Sequence, residues 1–185
     1  MNMLDIHTRE QVNKVRLQGL ALILSAVCFL LLGLSDPRTV MFDVISTIGV
    51  ILFILGIPAV YLAQPTGWVG LVGIVFLELA ALIALGFRFE LVPSNLGNSL
   101  SLTSAIVGML GAVIIGWLTI REPVFPAWVG WIFLAQGLLD LIAGLLDFGS
   151  PIRMLLPVLQ VIALLAYGYF IFQMKILTKD KILLV

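Results

Sequence analysis

The sequence predicts an all-α integral membrane protein of six transmembrane helices arranged as three tandem hairpins, and three observations predict it. Hydrophobic residues make up 62% of the chain and charged residues 11%, with a mean hydropathy of +1.20, against about 45–50% and about 25% in soluble domains. Apolar runs of about 20 residues, the length a helix needs to cross the hydrocarbon core, recur along the chain with short polar links between them. The ends of those runs repeat one pattern of glycine, acid and proline. At 185 residues, no single water-soluble core could bury this much apolar surface, so lipid must solvate much of it.

In chain order, Arg9, Lys14 and Arg16 precede the apolar run Leu17–Leu34. A basic segment before an apolar run can be a secretion signal, but this run is long enough to span and lacks an A-x-A cleavage site. Leu24–Cys28 looks superficially like a lipoprotein signal, with Val27 where a small residue is required. An uncleaved first span is therefore expected. The six spans are Val15–Leu34, Val40–Ala63, Gly67–Phe87, Leu100–Ile120, Ala127–Asp147 and Ile152–Met174. Proline and glycine in the links Ser35–Arg38, Gln64–Thr66, Arg121–Pro123 and Gly149–Pro151 stop one helix and start the next. Only Arg88–Ser99 is longer, and there is no room for a separate soluble domain. Pro58 and Pro157 fall inside spans and should bend them.

Basic residues set the orientation. The face holding both termini carries Arg9, Lys14, Arg16, Arg121, Lys175, Lys179 and Lys181, whereas the opposite face has only Arg38, Arg88 and Arg153. Both termini are expected in the cytoplasm, and the protein in a plasma or inner membrane. Trp68, Trp117, Trp128, Trp131, Tyr61, Tyr167 and Tyr169 cluster at the same inner ends, where amphipathic rings favour the headgroup layer.

The odd spans end alike, through Gly33…Asp36-Pro37, Gly86…Glu90…Pro93 and Gly144…Asp147…Pro151. Two even spans exit alike, through Gln64-Pro65 and Glu122-Pro123, followed by Trp68-Val-Gly70 and Trp128-Val-Gly130. Residues 1–185 thus read as one domain of three hairpins, roughly 15–63, 67–120 and 127–174, at a period that defines a repeat architecture. Small residues should mark where helices meet in lipid. Ser104, Gly108, Ala112 and Gly116 fall at every fourth position, Gly19, Ala26 and Gly33 at every seventh, as do Gly130, Gly137 and Gly144, and the third span opens with Gly67, Gly70 and Gly73. They serve packing within the bundle or, through an outward stripe, a homo-oligomer.

Ionisable groups within a span cost about 2.5 kcal/mol or more and mark candidate sites. Glu78 and Asp140 are two such groups. Ser25, Glu78 and Gln136 each stand eight residues before a repeat glycine, so they share a depth, and Asp140 follows Gln136 by one helical turn. Ser25, Glu78, Gln136 and Asp140 are expected to converge inside the bundle. With no basic residue at that depth, two carboxyls there would require a shared proton or a bound cation. Interhelical hydrogen bonds between neutral side chains would account for the same residues. Gln160, Gln173 and Thr103 are expected to make such bonds, and Cys28 reads as a small buried hydrophobe.

His7 is the only histidine, which excludes histidine-based zinc sites, triads and bis-histidine haem. No phosphate loop or dinucleotide fingerprint occurs, and zero net charge argues against a nucleic-acid partner. No enzyme activity, metal or cofactor is expected.

The stretch Gly137-Leu-Leu-Asp140-Leu-Ile-Ala-Gly144 through Pro151, with Leu30–Pro37 behind it, resembles the HdeD-like family of small bacterial acid-resistance membrane proteins. That resemblance spans the chain as architecture and implies a bacterial inner-membrane protein with a stress or accessory role; it assigns no site residues. The leading expectation is a non-enzymatic accessory or structural membrane protein with membrane-protein partners or copies of itself. The alternatives are a small proton- or cation-coupled channel or transporter using the buried carboxylates, and a lipid- or pigment-binding subunit.

Overall fold

The computed structural model of the chain describes residues 9–35, 39–64, 67–89, 91, 96–122, 124–146 and 150–173. Its elements are α1 (Arg9–Leu34), α2 (Val40–Gly56), α3 (Pro58–Ala63), α4 (Gly67–Arg88), α5 (Gly97–Arg121), α6 (Ala127–Leu146) and α7 (Ser150–Gln173). Five segments are long and apolar enough to cross a membrane: Val12–Leu34, Val40–Ala63, Gly67–Phe87, Ser99–Arg121 and Leu155–Gln173, with Ala127–Ile142 a shorter apolar stretch. The acidic and proline turns expected at Asp36–Arg38, Glu90, Pro93 and Asp147–Gly149, and His7, lie outside the described residues.

The second expected span is two helices. Pro58 has no N–H to give to the carbonyl one turn back, so the helix breaks after Ile57. Ile57 still donates to the Phe53 carbonyl at 2.8 Å and keeps helical dihedrals, which makes the junction a bend. By contrast, α7 runs through Pro157 without interruption. At its other end α2 is capped by Thr39, whose hydroxyl accepts from the Phe42 N–H at 3.3 Å and satisfies one of the free donors of the first turn.

Helices meet their chain neighbours around a closed ring: α1 on α2, α2 on α4, α4 on α5, α5 on α6, α6 on α7 and α7 back on α1. The short α3 touches α1, α2, α4 and α7 together, so the bend at Pro58 carries it across one end of the ring. Glycine decides which neighbours come closest. A Cβ on Gly19 would stand 2.7 Å from Ile171, and one on Gly168 would stand 2.7 Å from the Gly19 carbonyl oxygen. Likewise a Cβ on Gly111 would stand 2.8 Å from the Gly73 carbonyl oxygen, and Cβ atoms on Gly116 and Gly130 would stand 2.8 and 2.5 Å from each other's carbonyl oxygens. These contacts join α1 to α7, α4 to α5 and α5 to α6, and with α1–α2 they form the most intimate pairs. The α2–α4 and α6–α7 seams are sparser, and no described glycine contact crosses them. The expected four-residue stripe on α5 therefore divides its work: Gly108 approaches Ala80 of α4, while Gly116 approaches α6.

Burial is one-sided along the ring. Gly19 against Ile171 places the start of α1 beside the end of α7, and this proximal end also holds α3. Every long helix has its buried residues toward the proximal end, from Val12 to Ala26 in α1, Ile74 and Leu77 in α4, Ala112 to Thr119 in α5, and Val161 to Ile171 in α7. At the distal end no described residue is buried in 27–35, 39–45, 78–87, 99–110, 138–142 or 155–160. α4 and α5 stay in contact there, where a Cβ on Gly108 would stand 3.3 Å from Ala80 and the Ser104 hydroxyl donates to the Ala80 carbonyl at 3.1 Å.

Candidate functional site

The four residues expected to converge stand on α1, α4 and α6. Ser25 is fully buried on α1, and its hydroxyl donates to the Gly49 carbonyl of α2 at 2.8 Å. This bond is a helix–helix tie that uses the close approach Gly49 allows. Glu78 is half-buried on α4, at the edge of the face that carries Gly73 and Leu77 toward α5. Gln136 is half-buried on α6, and its amide oxygen is shut away from solvent with no donor. Asp140 lies one turn beyond Gln136, on the helical face of the buried Phe133 and Gly137. Its side chain is exposed.

No hydrogen bond or ion pair reaches Glu78 or Asp140 from the described residues. The helices that carry the two carboxyls, α4 and α6, both pack on α5. Counting back from a repeated glycine fixes height along a helix but not direction around it. Among the described residues no three of His, Cys, Asp and Glu gather as metal ligands.

A different polar cluster lies at the proximal end. Gln64, just past α3, is 4% exposed, while Thr119 near the end of α5 and Tyr167 on α7 are fully buried. The Gln64 amide nitrogen donates to the Thr119 hydroxyl at 2.7 Å, and that hydroxyl shares a 2.8 Å hydrogen bond with the Tyr167 hydroxyl. Phe125 and Phe133 hold the Tyr167 ring edge-on, with centroids 5.2 and 5.5 Å away. The cluster thereby ties together the second, fourth and last spans of the chain. Gln64 Oε1 has no partner among the described residues, a state that costs about 1–3 kcal/mol for a buried acceptor.

Tyr167 is a correction to the sequence reading: it is core, not headgroup layer. Trp68, Trp117, Trp128, Trp131 and Tyr169 are exposed at the proximal end as an aromatic belt requires, and the Arg121 guanidinium lies 5.3 Å over the Trp117 ring. Sequence spacing does not pair Thr119 with Gln64, because their meeting depends on where α3 crosses. The one sequence signal was a polar residue near the same end of each even span. Chemically, hydroxyls and an amide without a base beside them make a bonding cluster, whereas Asp140 offers an accessible carboxyl to a cation or a donor. Comparison with models of known protein families, with curated proteins and with solved structures finds no match.

Proposed function

We propose that this chain is a non-enzymatic, six-span membrane protein of accessory or structural type, with both termini on the cytoplasmic face of a plasma or inner membrane. The observation that carries the reading is the one-sided burial: the proximal half is packed on itself more closely than the distal half. Helices in lipid associate by close packing of small residues, and here most of that packing lies proximally, with Gly108 against Ala80 the distal contact. The distal half is then free to receive the transmembrane segment of a partner. The exposed aromatics and the Arg121–Trp117 pair at the proximal end support a headgroup layer there, and the excess of basic residues supports a cytoplasmic one. The resemblance to HdeD-like proteins adds a bacterial stress role to this reading.

Photo-crosslinking in native membranes tests it, with a photoreactive residue at Val158 or Leu138 distally and at Leu17 proximally. Discrete protein adducts from the distal sites and none from Leu17 are expected; lipid adducts alone at every site would reject a protein partner. A second reading, a proton- or cation-coupled carrier, is favoured by Asp140, which is exposed and has no hydrogen bond or ion pair among the described residues. Liposome flux that falls in Asp140→Asn or Glu78→Gln would support it, and flux that is absent or unchanged would remove it.

A further inference from the structure

We propose that one water molecule completes the proximal cluster by bridging the Tyr167 hydroxyl and the Gln64 side-chain amide, so that Gln64, Thr119, Tyr167 and water close a ring of hydrogen bonds. Counting protons leads to it. Gln64 Nε2 donates to Thr119 Oγ1, and one proton serves the bond between Thr119 and Tyr167. When Thr119 donates that proton, the Tyr167 proton is left without an acceptor, while Gln64 Oε1 is left without a donor. A water accepting from Tyr167 and donating to Gln64 Oε1 answers both, and every bond then runs in one direction around the ring.

The conclusion survives the other proton arrangements. If Tyr167 donates to Thr119, the Tyr167 oxygen keeps a free lone pair, and water donates to it and to Gln64 Oε1. If the amide is turned over, Oε1 accepts from Thr119 and the gap falls between Nε2 and Tyr167; water fills it as acceptor and donor. Water has two protons and two lone pairs and fits each case, whereas a metal cation accepts no proton and an apolar filler leaves the amide unmet.

The geometry allows a bridge. Gln64 Nε2 and the Tyr167 hydroxyl both bond the same Thr119 oxygen, at 2.7 and 2.8 Å. They therefore stand no further apart than those two bonds laid end to end, a reach that one water covers when the amide is turned over, and Oε1 hangs on the same amide carbon as Nε2. The residues are 4%, 0% and 0% exposed, so a water there is held and not in passing exchange with the surface. Since Gln64 follows the first pair of spans, Thr119 ends the second and Tyr167 lies in the third, this water is a structural ligand that holds the proximal end of the ring shut.

A high-resolution structure of the full chain in a lipid nanodisc tests the inference directly. A density peak about 2.6–3.2 Å from both the Tyr167 hydroxyl and the Gln64 amide, missing from Tyr167→Phe, is expected. Empty density in the wild type overturns the proposal, and so does an anomalous signal at that place after exchange into rubidium, which would make the occupant a cation. Infrared spectra in ordinary and oxygen-18 water give an independent reading in solution. The wild type should show an isotope-sensitive O–H stretch that is lost in Tyr167→Phe and Gln64→Leu; no such band in the wild type also overturns the proposal.

Discussion

Thr119 accepts one hydrogen bond and shares another, and both partners lie on other spans. Replacing it with the near-isosteric valine removes two bonds without making a hole and leaves the Gln64 amide and the Tyr167 hydroxyl buried and unmet. Interhelical bonds in membranes average only about 0.6 kcal/mol, but stranding a buried partner costs more, about 1–3 kcal/mol. Thr119→Val is therefore expected to lower thermal stability in detergent clearly, and Thr119→Ser to recover most of the loss. Equal melting of wild type and Thr119→Val would mean that the cluster contributes nothing. Ser25 shows the opposite case of legibility. Its place inside an apolar run reads as a buried polar group seeking a partner, and the partner is a backbone carbonyl. Gln64 looked like part of a turn because it precedes Pro65, and Tyr167 looked like a belt residue because it lies near a span end. Only the path of α3 turns both inward, and no spacing in the sequence encodes that path.

At the scale of elements, the five long apolar helices were legible to within about three residues of their bounds, because unbroken apolar runs of that length are visible in the sequence, whereas the expected fifth span has a shorter apolar stretch, Ala127–Ile142. The Pro58 bend was legible too, from a missing donor. Its direction was not, because it depends on what α3 meets. The glycines show a similar division. Gly19, Gly116 and Gly130 are spaced for packing and do pack, whereas Gly33 has open space around it, as its distal position dictates. Gly130→Val should disrupt the α5–α6 contact, because the added carbons would meet backbone at 2.5 Å, and overpacking costs about 1–3 kcal/mol or more. Gly33→Val should be nearly silent in the same melting assay, and similar losses from the two would refute the assigned helix pairing. The α1–α2 contact offers a covalent check. A Cβ on Gly49 would stand 3.0 Å from the Cys28 Cβ, a few tenths of an ångström short of the usual disulfide separation of about 3.5–4.5 Å. Cys28 is the only cysteine, so Gly49→Cys creates a single pair. Mild oxidation should consume both thiols within one chain; two free thiols after oxidant would place these helices further apart.

For the molecule as a whole, the one-sided burial gives Asp140 a meaning that its position in the sequence could not. A carboxyl in mid-span reads as expensive wherever it points, and nothing in the spacing separates a wall of an open interior from a lipid-facing surface. Asp140 continues the face of Phe133 and Gly137, which are buried nearer the proximal end, Gly137 against Ala112 of α5. Ile142, two residues on, faces the other way round the helix and is also exposed. The two positions therefore report on different media. In a background with Cys28 replaced by serine, Asp140→Cys should react with a small, charged, water-borne thiol reagent added to one side of sealed vesicles. Ile142→Cys should be protected in the bilayer and react only after detergent is added. Phe133→Cys, deeper on the Asp140 face and packed against Tyr167, should stay protected because the ring is closed at that level. A gradient of reactivity from Asp140 to Phe133 along one helical face would establish a water-filled mouth that ends at the proximal core. Protection of Asp140→Cys equal to that of Ile142→Cys would instead put lipid in that space. The carrier reading would then lose its route for ions, and the distal half would be left as a docking face for another membrane segment.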